Sequence, residues 1–309
     1  MLIRIPSGWE IPEREATPER AFLERRQLLR SLAAAGVALV SRPGHAGAQP
    51  APAPEPLVTQ RNSTFEVEMG PLTSEQAATY YNNFYEFSEQ KDVVRYVDKF
   101  QTRPWTVEVT GEVARPKTYD IESLLKMPLE ERLYRFRCVE AWYMDVPWVG
   151  FPLRRLLEAS EPLGKARYVR FLSFLAPEQA PGQKNQKYRW PYYEGLTLAE
   201  AMNDLTLATV GVYGKELPKQ NGAPFRIILP WKYGYKGPKS VVRIELTKKR
   251  PRTFWNDLYP HEYGFESNVD PKVPHPRWSQ AQERSIDRRT TRPTLPFNGY
   301  GEWVSALYD

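Results

Sequence analysis

The residue with the most distinctive chemistry in this 309-residue chain is its single cysteine, Cys138, set in the run Tyr134-Arg135-Phe136-Arg137-Cys138-Val139-Glu140-Ala141-Trp142. One cysteine allows no intramolecular disulfide and leaves no material for zinc or iron–sulfur sites built from several thiolates. A nucleophilic thiolate needs a histidine partner, and those beyond the amino-terminal stretch, His261 and His275, sit in Pro-rich polar surroundings without a motif. Two roles remain. A lone cysteine after a strand is ordinarily a small buried hydrophobe. Arg135 and Arg137, however, would favour a thiolate, the form that binds metal. Glu140, two residues on, is either a polar neighbour of such a metal or a solvated carboxylate at a strand end.

A second group of residues reads as turns and packing. Gln220-Asn221-Gly222-Ala223-Pro224-Phe225-Arg226 and Tyr235-Lys236-Gly237-Pro238-Lys239 carry the strong turn dipeptides Asn221-Gly222 and Gly237-Pro238, and Asn82 with Tyr85 can cap and pack a helix. The residues alone favour that reading over a ligand site.

The elements that would position these groups are mostly strands. Trp105, Val107 and Val109 alternate as a half-buried strand, and 132–138, 166–175, 206–213, 224–229 and 239–247 are rich in Val, Ile, Tyr and Phe between Pro, Gly or Asn. Thr73 with Gln76 and Thr197 with Glu200 read as capping boxes, predicting helices over 74–80 and 198–202. Leu153, Leu156 and Leu157 mark a third helix after Pro152. Short helices among many strands predict an α+β fold, one mixed β-rich domain rather than a doubly wound parallel sheet. Residues 176–191 carry no apolar period and read as a loop over a site. The tail from 250 reads as extended chain packed over the surface.

Composition bounds the partners. A mean hydropathy of −0.59 argues against a membrane bundle, and 13% aromatic residues supply the apolar surface that a disordered chain lacks. Basic and acidic residues are interleaved, so the formal charge of +6 reads as a mixed surface rather than a nucleic-acid footprint.

The first 48 residues read as a leader. Arg25 and Arg26 precede the run Leu32–Val40, which is too short to span a bilayer, and Ala46-Gly47-Ala48 supplies a cleavage site. The arginine pair resembles a twin-arginine export signal, with Glu24, Leu28 and Arg30 departing from the usual flanks. That route carries folded proteins, often with a cofactor already in place. Cleavage removes seven basic and five acidic residues, which leaves +4, and makes 49–56 a flexible new terminus before a catalytic domain at 57–309.

Several separated segments, taken in order, resemble the sulfite oxidase superfamily of molybdopterin enzymes, and within it the periplasmic branch that reduces methionine sulfoxide in proteins. They are YNNFYEF at 81–87, RCVEAWYMDVPWVGFPL at 137–153, the stretch 205–240 and HPRWSQ at 275–280. The resemblance runs from about residue 57 to the end. It implies a sulfite-oxidase-type fold holding molybdenum on one molybdopterin, with Cys138 as the protein's thiolate ligand. It also implies oxygen-atom transfer from methionine sulfoxide to reduced molybdenum. By position it assigns cofactor binding to Asn82, Tyr85, Glu86, Ser173, Asn221, Arg226, Gly237, Pro238 and Lys239, with Ser173 where the family carries Thr. Glu140 is a candidate catalytic neighbour of the metal. No Cys-x-x-Cys-His haem motif or Rossmann glycine signature is present, so electrons would come from outside. The resemblance implies a membrane-embedded b-haem partner fed by quinol, with oxidised periplasmic proteins as substrates. The alternative keeps the cofactor and oxidises sulfite or another small oxyanion, held by Arg135, Arg137 or Arg189.

Overall fold

The computed structural model describes residues 56–309, so the leader and the first residues after it lie outside the described residues. Among these described residues thirteen strands form two sheets. In chain order they are β1 (Gln60–Arg61), β2 (Thr106–Gly111), β3 (Lys117–Asp120), β4 (Glu130–Arg137), β5 (Trp142–Pro152), β6 (Tyr168–Ser173), β7 (Tyr193–Thr197), β8 (Leu207–Val212), β9 (Lys215–Glu216), β10 (Arg226–Ile228), β11 (Val241–Thr247), β12 (Gln282–Ser285) and β13 (Thr291–Pro293). The smaller sheet runs β3-β2-β11-β6-β7, with β11 parallel to β2 and its other pairs antiparallel. The helices are all short, as the α+β reading expects.

The larger sheet is organised by β5, all eleven of whose residues are buried. One edge pairs antiparallel with β4 over eight residues. The other edge is shared: Trp142 and Tyr143 pair in parallel with β12, and Trp148–Pro152 pair antiparallel with β8. Sequence reading misses this strand, because full burial removes the alternation that marks a half-exposed strand, and Pro147 argues against a central one. Pro147 is tolerated for a geometric reason. Its carbonyl accepts from the Tyr213 amide beyond the end of β8, so its missing N–H falls on that side, outside the ladder. Gly150 sits at a bulge where an added Cβ would lie 2.1 Å from the Ala208 carbonyl oxygen.

The helix at Leu198–Met202 has the expected capping box in full: the Glu200 amide donates to Thr197 Oγ1 at 3.1 Å and the Thr197 amide to Glu200 Oε2 at 2.8 Å. The box at Thr73 does not form. Ser74 caps the helix Glu75–Tyr80, while the Thr73 hydroxyl is buried and accepts from the Asp145 amide at 3.0 Å. A sheet amide outcompeted the helix end. The tail also departs from expectation. It contributes β12 and β13 to the larger sheet, and Asn298 and Tyr300 are fully buried. The 176–191 loop is likewise anchored: buried Gln183 bonds both the Ala176 amide and the Phe174 carbonyl, and Gly182 packs against the Tyr85–Glu86 backbone.

The sheets meet where the chain Gly222–Ile227 runs beside Pro238–Val241. Three amides cross that seam: Ile227 to the Pro238 carbonyl, Val241 to Phe225 and Ser240 to Gly222. Thr197→Ala should cost about 1 kcal/mol of stability in a urea titration. Gly150→Ala should cost several times more, because backbone rather than a flexible side chain must move.

Candidate active site

A cavity opens at the sheet junction. Its walls come from the segment after the first helix, from the β4–β5 turn, from the start of β10 and from the chain leading into β11. Of the residues singled out in the sequence, Asn82, Tyr85, Glu86, Cys138, Glu140, Arg226, Gly237, Pro238 and Lys239 line it. Ser173 and Asn221 lie one layer behind. The Ser173 hydroxyl donates to the Lys239 carbonyl at 2.7 Å, and the Asn221 carbonyl accepts from Arg226 Nη1 at 2.8 Å.

Cys138 occupies the tight turn between β4 and β5. Its amide donates to the Trp142 carbonyl, its carbonyl accepts from the Ala141 amide, and Ala141 takes φ 65° to close the hairpin. The turn aims the sulfur into the cavity, where Sγ accepts from Asn83 Nδ2 at 3.5 Å and from the Glu140 amide at 3.4 Å. Burial, with Glu140 adding to it, pushes the Cys138 thiol up to about 12. Arg137 pulls toward the thiolate, as the sequence reading expected, but burial and Glu140 outweigh it. Glu283 accepts from Arg135 Nη2 at 3.0 Å and is ion-paired with Arg137 Nε at 2.9 Å, and both arginines are buried behind the turn. A thiolate here therefore needs a metal at the sulfur itself, since a bound metal deprotonates its thiol ligand outright.

Glu140 is tied down. Its Oε2 accepts from Lys91 Nζ at 2.5 Å and from the Trp142 indole at 3.1 Å. Burial alone would raise its pKa, but Lys91 and the indole outweigh it, and the carboxyl lies below the usual range. It is a fixed carboxylate. Asn83 and Lys91 were not singled out in the sequence, although Asn83 stands inside the 81–87 segment; Lys91 had no local signal, since only the fold brings it to Glu140.

The opposite wall is cationic. Arg226 is 1% exposed, its Nε and Nη2 have no hydrogen-bond partner, and burial alone lowers its pKa to about 9. Lys239 is held well below its usual range by burial and then by Arg226. Its Nζ reaches only the Asn83 carbonyl, at 2.8 Å, among the described residues. Glu86 is raised to about 7 by burial, against the pull of Lys239. Two desolvated cations side by side, one with orphaned N–H groups, fit an anionic ligand such as a phosphate. The backbone is shaped for close approach. An added Cβ on Gly222, at φ 95°, would meet the Lys239 side chain at 2.7 Å, and one on Gly237 would meet the Ile227 carbonyl at 2.4 Å. The turn and ligand readings of these dipeptides therefore coincide: the turns are what make room for the cations.

The donor set is that of a metal held mostly by something other than protein. Among the described residues no group of three His, Cys, Asp or Glu could ligate a metal. Cys138 offers one soft sulfur and the far wall offers cations for an anionic tail, which matches a metal on a phosphorylated organic ligand. Beyond the cavity mouth a wider groove shares Tyr85, Glu140, Trp255 and Tyr263 with it and adds Tyr81, Tyr188, Tyr259 and Trp278.

Fold and site define a class: residues 94–255 match the family described as the oxidoreductase molybdopterin binding domain. Over 312 residues the chain is 49% identical to the protein-methionine-sulfoxide reductase catalytic subunit MsrP of Burkholderia mallei, covering 98% of this chain and 94% of that one. The chain belongs to that family of molybdopterin oxidoreductases. The sulfane dehydrogenase SoxCD from Paracoccus pantotrophus aligns over 68% of this chain and 57% of its own, with a TM-score of 0.44 and 14% identity.

Two outcomes test the site. Glu140→Gln removes the charge that raises Cys138, so in cofactor-free protein at a fixed pH below the thiol's midpoint, alkylation of the sole cysteine should speed up, about tenfold per unit of pKa lost. Arg226→Met should leave the fold intact, since it replaces a buried cation by an apolar chain, yet lower molybdenum content per mole of protein at least several-fold.

Proposed function

We propose that the protein is a molybdenum enzyme that reduces methionine sulfoxide in other polypeptides. The observation that carries this reading is the cavity itself, with one pocket-facing sulfur on one wall and the desolvated Arg226–Lys239 pair on the other. Molybdopterin-bound molybdenum supplies a two-electron centre that accepts oxygen from a sulfoxide. Cys138 would hold the metal. Arg226 and Lys239 would neutralise the pterin phosphate, and Gly237 and Pro238 let backbone approach it. Asn82, Tyr85 and Glu86 would wall the pterin, with Ser173 and Asn221 holding Lys239 and Arg226 in place.

The net change is sulfoxide plus two electrons and two protons to thioether plus water. Removing the oxygen returns a polar, chiral side chain to an apolar one, so the reaction repairs an oxidative lesion. Glu140, fixed by Lys91, keeps a negative charge at the mouth, and Lys91 is an N–H donor on the same side. The aromatic groove gives a polypeptide somewhere to lie: thioether and sulfoxide side chains pack favourably against aromatic rings. A groove open to solvent suits a side chain presented by a macromolecule better than a small ion.

The electrons would come from a membrane-embedded b-haem subunit oxidising quinol, consistent with a relative named as a catalytic subunit. Among the described residues no helix is long and apolar enough to cross a membrane. The Arg25-Arg26 pair and Ala46-Gly47-Ala48 support twin-arginine export to the periplasm with the cofactor inserted beforehand. The sulfite alternative loses its anion site, because Arg135 and Arg137 are committed to Glu283 and Arg189 is exposed on the 176–191 loop.

Assays with an artificial electron donor or acceptor separate the readings. We expect turnover of methionine sulfoxide in a peptide and near-stoichiometric molybdenum, both lost in Cys138→Ser. Sulfite oxidation without sulfoxide reduction would sink the proposal.

A further inference from the structure

The turn that carries Cys138 is gripped from behind by one short segment, Trp278–Arg284, far along the chain. Every carbonyl of the turn is engaged. Val139 O accepts from both Trp278 Nε1 and Gln280 Nε2, each at 2.8 Å. Glu140 O accepts from Arg284 Nη1 at 3.1 Å, and Ala141 O from the Arg284 amide at 2.9 Å. Cys138 O accepts from Arg137 Nη1, and Arg137 is itself bonded through Nη2 to Gln280 Oε1 at 2.7 Å. Gln280 is 1% exposed, and Trp278 is fixed by stacking on buried His275, with ring centroids 3.7 Å apart.

A hairpin turn of four residues does not need so many outside bonds to close. This one also holds Ala141 at φ 65°, where glycine would be at ease. A non-glycine residue in that region persists when its surroundings over-determine it. The bonds also converge on the carbonyls rather than on the side chains of the turn. Their effect is to fix the peptide planes at Cys138, Val139 and Glu140, and through them the direction of the Cys138 Cα–Cβ bond from which the sulfur is carried. The segment lies outside residues 94–255 that match the molybdopterin-binding family, so it supports that domain from its carboxyl-terminal side.

We propose that Trp278 and Gln280 are positioning residues that set the orientation of the Cys138 sulfur toward the metal. The proposal rests on Cys138 being the metal's protein ligand, and not on which substrate is turned over. A metal's electronic structure depends on the angle at which its thiolate approaches, so loosening the turn changes the metal's signature even where the fold is intact.

The test uses the purified holoenzyme. Trp278→Phe keeps the ring and its stack on His275 while removing the N–H; Gln280→Met keeps length while removing both of its bonds. Each should retain the wild-type far-ultraviolet circular dichroism. Each should shift or broaden the electron paramagnetic resonance signal of pentavalent molybdenum and release molybdenum faster during dialysis, roughly two- to tenfold per bond lost. Trp303→Phe, another half-buried tryptophan remote from the turn, should change neither. Signals and release rates in Trp278→Phe that superimpose on wild type would overturn the clamp, whether or not Gln280→Met folds. Wild-type protein without molybdenum would instead overturn the assignment of Cys138 beneath it.

Discussion

Glu283 is the charge on which the arrangement around the cysteine depends. It is 1% exposed, and its two oxygens engage Arg135, Arg137 and Arg292. Arg292 in turn pairs with buried Asp145 on β5. Three guanidinium groups and two carboxylates thus share one interior, joining β12 and β13 to the strands that flank the Cys138 turn. Loss of one partner from such a cluster leaves uncompensated buried charge, at about 3–5 kcal/mol. The cluster explains why the carboxyl-terminal chain returns to the larger sheet: a carboxylate delivered by β12 is what permits two arginines on β4 to be buried.

That arrangement separates two kinds of positive charge. Arg135 and Arg137 are satisfied inside the protein and serve the architecture. Arg226 is as deeply buried as they are and Lys239 is half-buried, but neither is paired with a carboxylate among the described residues, and both line the cavity. A desolvated cation with spare N–H groups is costly to the protein alone. Chains keep such groups where an anionic ligand satisfies them. The same contrast of environment, rather than of residue type, makes Glu140 an ionised carboxylate and Glu86 one displaced toward neutrality.

The sequence was legible where local chemistry decides structure. The Thr197 capping box, the helix after Pro152 and the β-branched runs of β6, β8 and β11 are dictated by groups a few residues apart, and their bounds shift by only a residue or two. Nine of eleven candidate site residues line one cavity because the segments carrying them were taken together, not singly. What was illegible depends on distant partners. Thr73 gave its hydroxyl to Asp145, β5 hid behind two prolines and complete burial, and β12 in the tail pairs with residues well over a hundred positions away. Arg137 next to Cys138 gives no local hint of Glu283, which buries and pairs it, nor of the burial and the Glu140 charge that outweigh its pull on the thiol.

The solitary sulfur of Cys138 has a consequence for metal selection in the cell. Divalent first-row metals bind protein donors in an order that favours copper and zinc, whatever the site was made for. A site with three or four thiolates and imidazoles must therefore be guarded against the wrong ion. With one protein donor and no His, Cys, Asp or Glu cluster nearby among the described residues, this cavity gives stray zinc or copper too few ligands to settle. On the proposed role of Cys138, the cavity would discriminate by recognising the organic carrier rather than the metal, and fidelity would be delegated to whatever machinery loads the pterin.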